Sequence, residues 1–179
     1  MITLSLVLFS LVAFATFIIV LRGAVPQSDS IERLESQLQS VDLNAFLNLT
    51  DAREAEFLRT TLPPTTYRRL TRARIRAALK YLKCLSRNSA VLQRIGELAG
   101  RSSDQLVADS GRELANTALR TRILILRAFW KLAPQLILPA YGVASDPRIL
   151  SDYEELKRRF GSLASKQQPL VVSRFLSQL

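Results

Sequence analysis

The sequence predicts an all-α protein, in which a single N-terminal transmembrane helix is followed by an antiparallel helical bundle of about four to five helices. Three observations carry this expectation. Residues Ile2 to Leu21 contain no charged side chain. The rest of the chain repeats apolar residues at three- and four-residue spacing, divided by proline, glycine and capping residues. Glycine is sparse, six in 179 residues, beside abundant Leu, Ala, Arg, Gln and Ser, which favours helix over strand or disorder.

The apolar run spans about 30 Å as a helix, enough to cross a hydrocarbon core in which every backbone polar group must be bonded internally. A signal peptide is the competing expectation, but it opens on basic residues and ends in small ones. Here Met1 alone precedes the run, and Arg22 stands where a cut after Ala24 would want a small residue. The anchor is therefore assigned to residues 1–22. No Lys or Arg precedes it, while Arg22 and Arg33 follow, so the positive-inside rule places the rest of the chain on the cytoplasmic side. Cys84 stands alone, which rules out an intramolecular disulfide and fits a reducing compartment. Asn48-Leu49-Thr50 matches a glycosylation triplet that matters only in a secreted domain.

Residues 23–30 read as a polar linker, 31–166 as one helical domain and 167–179 as a C-terminal tail. Ser28, Asp29 or Ser30 caps a helix expected to run through about Leu49, with Ile31, Leu34, Leu38 and Val41 on one side. Thr50 caps the next helix, which Pro63-Pro64 ends. A long helix follows from about Thr65 to Ala99, closed by Gly100. Ser102-Ser103-Asp104 caps another, reading to Lys131 and stopped or kinked at Pro134. Pro139, Gly142 and Pro147 mark a loop. A last helix, about Pro147 to Ala164, carries Ile149, Leu150, Tyr153, Leu156 and Phe160 as its apolar side, and Pro169 sets off the tail.

Charge is the second guide. The chain carries a formal net charge of +10. Acids outnumber bases from Val25 to Leu62, whereas Pro63 to Arg101 holds ten Lys or Arg against the single acid Glu97. At about 100° per residue, Arg68, Arg72, Arg76, Lys80, Lys83, Arg87 and Arg94 fall within roughly a third of the helix circumference. Leu70, Ala73, Ala77, Tyr81, Leu85 and Leu92 are expected on the opposite, packed side. One expectation for the basic row is a solvated face neutralised by the acidic stretch Asp29 to Glu56 packing across it. The other is a surface for anionic headgroups or an acidic protein. Nucleic acid is disfavoured, because the row lacks recognition motifs and has only Tyr67 and Tyr81 for stacking.

The segment Arg120 to Tyr141, with Phe129-Trp130 at its centre, is too interrupted by charge and proline for a second span. It is expected in the bundle core, with an interfacial, partner-docking position as the alternative. The chain has no His, one Cys, no glycine-rich phosphate loop and no G-x-S-x-G elbow, so no metal, cofactor or catalytic residue is assigned. Glu54 with Glu56 and Glu154 with Glu155 do not face a common site. Cys84 has cationic neighbours but no base, and is expected as an inert thiol. The expected role is that of a membrane-anchored interaction protein, an accessory or scaffolding subunit. Its contacts would be the row Arg68 to Arg94 together with Phe129 and Trp130. The alternative is a sensor of anionic lipid headgroups using the same row.

Overall fold

The computed structural model describes residues 30–136 and 148–167, which are helical or in short connections, with no strand among them. The described helices are α1 (Ile31–Glu35), α2 (Leu43–Thr50), α3 (Ala52–Thr61), α4 (Pro64–Ala99), α5 (Gln105–Leu132) and α6 (Arg148–Gln167), with a 3-10 turn at Ala133–Leu136. Among these residues no helix is long and apolar enough to cross a membrane. The expected anchor at 1–22, the loop around Pro139 and Gly142, and the tail beyond 167 lie outside the described residues.

Local chemistry accounts for the boundaries. Ser30 caps α1, its hydroxyl accepting the Arg33 N–H at 3.3 Å. The continuous helix expected from there to Leu49 is broken between Ser36 and Asp42. Asp42 then starts α2 by accepting the Ala45 N–H at 2.9 Å. Asp51, rather than Thr50, caps α3 through the Arg53 N–H at 2.8 Å. The Thr50 hydroxyl bonds back to the Phe46 carbonyl at 3.0 Å instead. Pro63 is the N-cap residue of α4, and Pro64 fills its first turn, where a missing N–H costs nothing. Asp104 caps α5, accepting the Leu106 N–H at 2.8 Å.

The helices α4 and α5 form an antiparallel pair that organises the domain. Their closest approach is at Gly96 and Gly111. A Cβ built on Gly96 would lie 2.7 Å from both the Ala115 nitrogen and the Gly111 oxygen, and one on Gly111 only 2.5 Å from the Gly100 nitrogen. The partners are backbone atoms, so a methyl group at either glycine would force the helices apart. Small residues at this crossing, Ala99 and Ala115 among them, allow contact closer than the usual 8–10 Å interaxial distance. Gly100 itself stays right-handed, at φ −64°, and α4 ends in a tightening turn rather than a left-handed cap.

The remaining elements pack on this pair. On α6, Ile149, Leu150, Tyr153, Leu156 and Phe160 are all buried, as the periodicity predicts, and Leu163 extends the stripe. It lies mainly against α5, and is pinned at its rim by Arg159 to Glu113, Lys166 to Ser110 at 2.7 Å, and Asp152 within 3.2 Å of Arg120. The segment α1–α2 runs back along α4, burying Leu34 and Phe46 completely, with the Phe46 and Tyr81 rings 5.9 Å apart. Each such side chain stabilises the fold by about 1.5–3 kcal/mol.

The packed side of α4 differs from the expected one. Leu85 and Leu92 are buried, but Leu70 and Ala73 are exposed and Ala77 and Tyr81 only half-buried. The core instead runs along Ile75, Ala78, Leu82, Leu85, Leu92 and Ile95. The stripe is turned toward α5, because that side carries the small residues that permit the close crossing.

Gly111→Ala should destabilise the domain by about 1–3 kcal/mol, although alanine at an exposed helix position is about 1 kcal/mol better than glycine. Thermal unfolding of the variant would check the sign, and an unchanged or raised midpoint would refute the close crossing.

Candidate functional site

The basic row forms a ridge on the outer face of α4. Arg68, Arg72, Arg76, Lys80, Lys83 and Arg87 are all exposed. Arg69, not part of the expected set, is exposed beside them. No described carboxylate lies within ion-pair distance of any of these seven. Arg94, the last member of the expected row, is half-buried and paired with Glu97 at 3.3 Å, so the ridge proper ends at Arg87.

Internal neutralisation by the acidic stretch is not what the fold provides. Within that stretch, Glu56 pairs with Arg59 on its own helix, and Glu54 reaches Arg74 at 3.0 Å. Arg74 is not a ridge residue. It is buried, and one of its nitrogens also donates to the Asn48 and Leu49 carbonyls at 2.9 and 3.1 Å. Its cation thus closes the C-terminal end of α2, where unpaired carbonyls and the helix dipole favour positive charge. The ridge cations of α4 are left facing outward.

That arrangement opposes helix stability. Arg68, Arg72, Arg76 and Lys80 follow one another at i,i+4, as do Lys83 and Arg87, and each like-charge pair costs about 0.2–0.5 kcal/mol. Several also sit toward the positive end of the α4 dipole. Among the described residues no carboxylate offsets this repulsion, so the row is a local conflict with the stability of its own helix.

The second expected contact region is divided. On α5, Ile125, Leu126, Ala128 and Leu132 are buried, so most of this segment is core. Phe129 and Trp130 are half-buried, Leu119 is 40 % exposed and Ile123 53 %. Arg122 is not a cation reaching for headgroups. It is buried and donates to the Gln93 side chain at 2.7 Å, and Gln93 in turn donates to Glu97.

Cys84 lies at the edge of the ridge, between it and the side of α4 that meets the N-terminal segment, and donates to the Gln39 side chain at 3.2 Å. Burial pushes its thiol up and outweighs the nearby Arg87 charge, so the reactive thiolate is disfavoured. No group of three potential metal-ligating side chains occurs among the described residues.

Sequence reasoning missed the polar centre that holds the N-terminal segment to the pair. Asn88 is completely buried on α4. Its amide oxygen accepts the Gln39 N–H at 3.0 Å, while its amide nitrogen donates to the Gln39 carbonyl at 2.7 Å and to the Tyr153 hydroxyl at 2.9 Å. One side chain therefore satisfies both backbone groups of Gln39 and ties α6 to α4. This is the reason for the break between α1 and α2, since a helical Gln39 would not present both groups outward. The only advance signal is a short amide on the apolar side of a long helix.

No protein-family model, curated protein or solved structure matches the chain.

Asn88→Ala leaves both Gln39 backbone groups without their partner and should cost about 3 kcal/mol. Tyr153→Phe, which leaves one buried Asn88 N–H without its acceptor but keeps both Gln39 bonds, should cost less, about 1–2 kcal/mol. Urea unfolding of the two variants checks the order, and equal losses would contradict it. Burial also pushes the Tyr153 hydroxyl from the ordinary 10.0 up to about 12, against the opposing effect of Asn88. Because only the unfolded chain ionises readily in that interval, stability is complete below pH 10 and falls as pH rises toward about 12, by about 2–3 kcal/mol. Tyr153→Phe should remove this component from a pH series of unfolding curves.

Proposed function

We propose that this chain is a membrane-anchored helical interaction protein, an accessory or scaffolding subunit held at a membrane surface by residues 1–22. Its helical domain faces the cytoplasm and works through non-covalent contact rather than catalysis. The observation that supports the reading is the ridge from Arg68 to Arg87, a cationic row that the fold leaves without a described carboxylate partner at a cost to its own helix. The apolar run at Ile2 to Leu21 supports the membrane placement.

Two classes of partner match such a row. An acidic protein surface suits the subunit reading, with the ridge setting encounter rate and orientation. Anionic headgroups suit the sensor reading, each cation contributing about 1 kcal/mol near the bilayer surface. Nucleic acid is the weaker match, because the ridge offers the salt-sensitive phosphate attraction without side chains placed to read or stack bases.

Reversing Arg68, Arg72, Arg76 and Lys80 to Glu should leave the helical content unchanged, because all four are exposed, and should weaken the contact more than about a hundredfold. The check is to purify full-length tagged protein and the variant in mild detergent and to analyse what co-elutes by mass. A stoichiometric protein lost on reversal supports the subunit reading. Anionic lipid alone, lost on reversal, supports the sensor. Co-elution identical for both chains would remove the ridge from the account.

A further inference from the structure

The contacts of α4 fix which way the ridge points. Its seven cations, Arg69 included, are exposed and at 100° per residue span an arc of about 120°. Gly96, which faces α5, lies about 150° from the centre of that arc. Asn88, which faces the N-terminal segment and α6, lies about 130° from it. These neighbours therefore fall behind the ridge, and a plane laid against it meets α4 first.

The arc offers charge and no apolar anchor. From Arg68 to Arg87 the chain holds no acid. Leu79, the large apolar side chain within the arc, is half-buried and packed against the core. Leu70, the exposed large apolar side chain of α4, sits about 80° beyond the edge of the arc. A stable protein interface has an apolar, charge-depleted centre. The ridge has none. A sheet of anionic headgroups needs none, and it satisfies cations in any register.

The path of the N-terminal segment sets which end of the ridge is nearer the anchor. Gln39 bonds to Asn88, the Phe46 ring lies 5.9 Å from that of Tyr81, and the Asn48 carbonyl accepts from Arg74. The segment thus runs antiparallel to α4, and the chain arriving from the linker at 23–30 meets it at the Arg87 end. Arg68 is about 28 Å further along. With α4 upright, only Lys83 and Arg87 come near the bilayer, because Arg68 lies more than three screening lengths of about 8 Å away. With α4 flat, all seven cations reach the headgroups, each multiplying the docked population roughly fivefold. Resting on the membrane-surface reading, we propose that α4 lies parallel to the bilayer that carries the anchor, with the whole ridge along anionic headgroups and no side chain inserted beneath them. The linker spans at most about 28 Å when extended, so the domain moves between this docked position and an undocked one, and the anionic lipid content sets the balance.

Trp130 is the only tryptophan of the chain. Gly96 packs against Gly111 and Ala115, so counting outward at 1.5 Å per residue sets Trp130 level with about Leu79, near the middle of the ridge. Its height over the bilayer reports how the domain lies. The full-length protein is reconstituted in vesicles of phosphatidylcholine alone, or of phosphatidylcholine with phosphatidylserine, each with a trace of dansyl-headgroup lipid as energy acceptor. The flat position predicts greater transfer from Trp130 in the anionic vesicles. Molar salt, which shortens the screening length to about 3 Å, should abolish the difference. Arg68→Glu with Arg69→Glu, and Lys83→Glu with Arg87→Glu, should each lower the docked-to-undocked ratio roughly twenty-fivefold. All four positions are exposed, and circular dichroism confirms that both variants remain folded. Vesicles with brominated acyl chains should leave Trp130 unquenched in both compositions.

Equal transfer in the two vesicle types, or transfer indifferent to salt, would overturn the proposal. So would a loss confined to the Lys83 and Arg87 variant, which marks an upright α4, or quenching by the brominated chains, which marks insertion. An acidic protein that binds the ridge while transfer stays equal in both vesicle types would overturn it in favour of a protein surface. A chain washed from both vesicle types by alkaline carbonate would overturn the membrane reading itself, an outcome distinct from failure of the flat position.

Discussion

The close backbone contact of α4 and α5 at Gly96 and Gly111 is the constraint on which the rest of the domain depends. With no side chain between them, the two helices act as one two-helix layer. That layer has two sides. α6 fills one with a continuous apolar stripe, and the α1–α2 segment runs along the adjoining edge of α4. The outer face of α4 presents the cations of the ridge. The asymmetry of the molecule follows from the crossing, because the same rotation that brings Ile75, Leu82 and Gly96 inward leaves Arg76, Lys83 and Arg87 outside.

Much of this was legible in the sequence where the signal is local. The proline pair at 63–64, the Asp104 cap and the five apolar residues of α6 lie where short-range rules place them, because caps and periodicity act within a turn or two. The break between α1 and α2 was not legible. Residues Ile31 to Val41 keep helical spacing, and what interrupts them is Asn88, 49 positions along the chain from Gln39. The packed side of α4 was misplaced for a related reason. Opposition to the basic row pointed to Leu70 and Ala73, while the true contact side is marked by glycine and alanine, which count as weak hydrophobes but decide how near two helices come.

The cations show the same division. From composition, the basic row and the acidic stretch before it looked able to neutralise one another. The fold uses its acids otherwise: Glu54 goes to buried Arg74, Glu56 to Arg59, and Glu97 to Arg94, with Gln93 bridging it to buried Arg122. The two buried guanidiniums are structural, joining elements distant in sequence; helical spacing sets Arg74 apart from the row, but not what it binds. Burial separates the cations that hold the fold from those left at the surface.

The Arg74 staple has a consequence for how the domain comes apart. One guanidinium nitrogen serves the last carbonyls of α2 and the first carboxylate of α3, while α3 itself buries only Ala55 and leaves Phe57 63 % exposed. This corner therefore holds to α4 through a cation and little apolar area, whereas α5 and α6 hold through a full interior. Such a corner is a separate cooperative unit, able to open and reclose many times during the lifetime of the intact bundle. Its amide hydrogens would exchange with solvent long before those near Asn88, so the domain has a loose end and a fixed one.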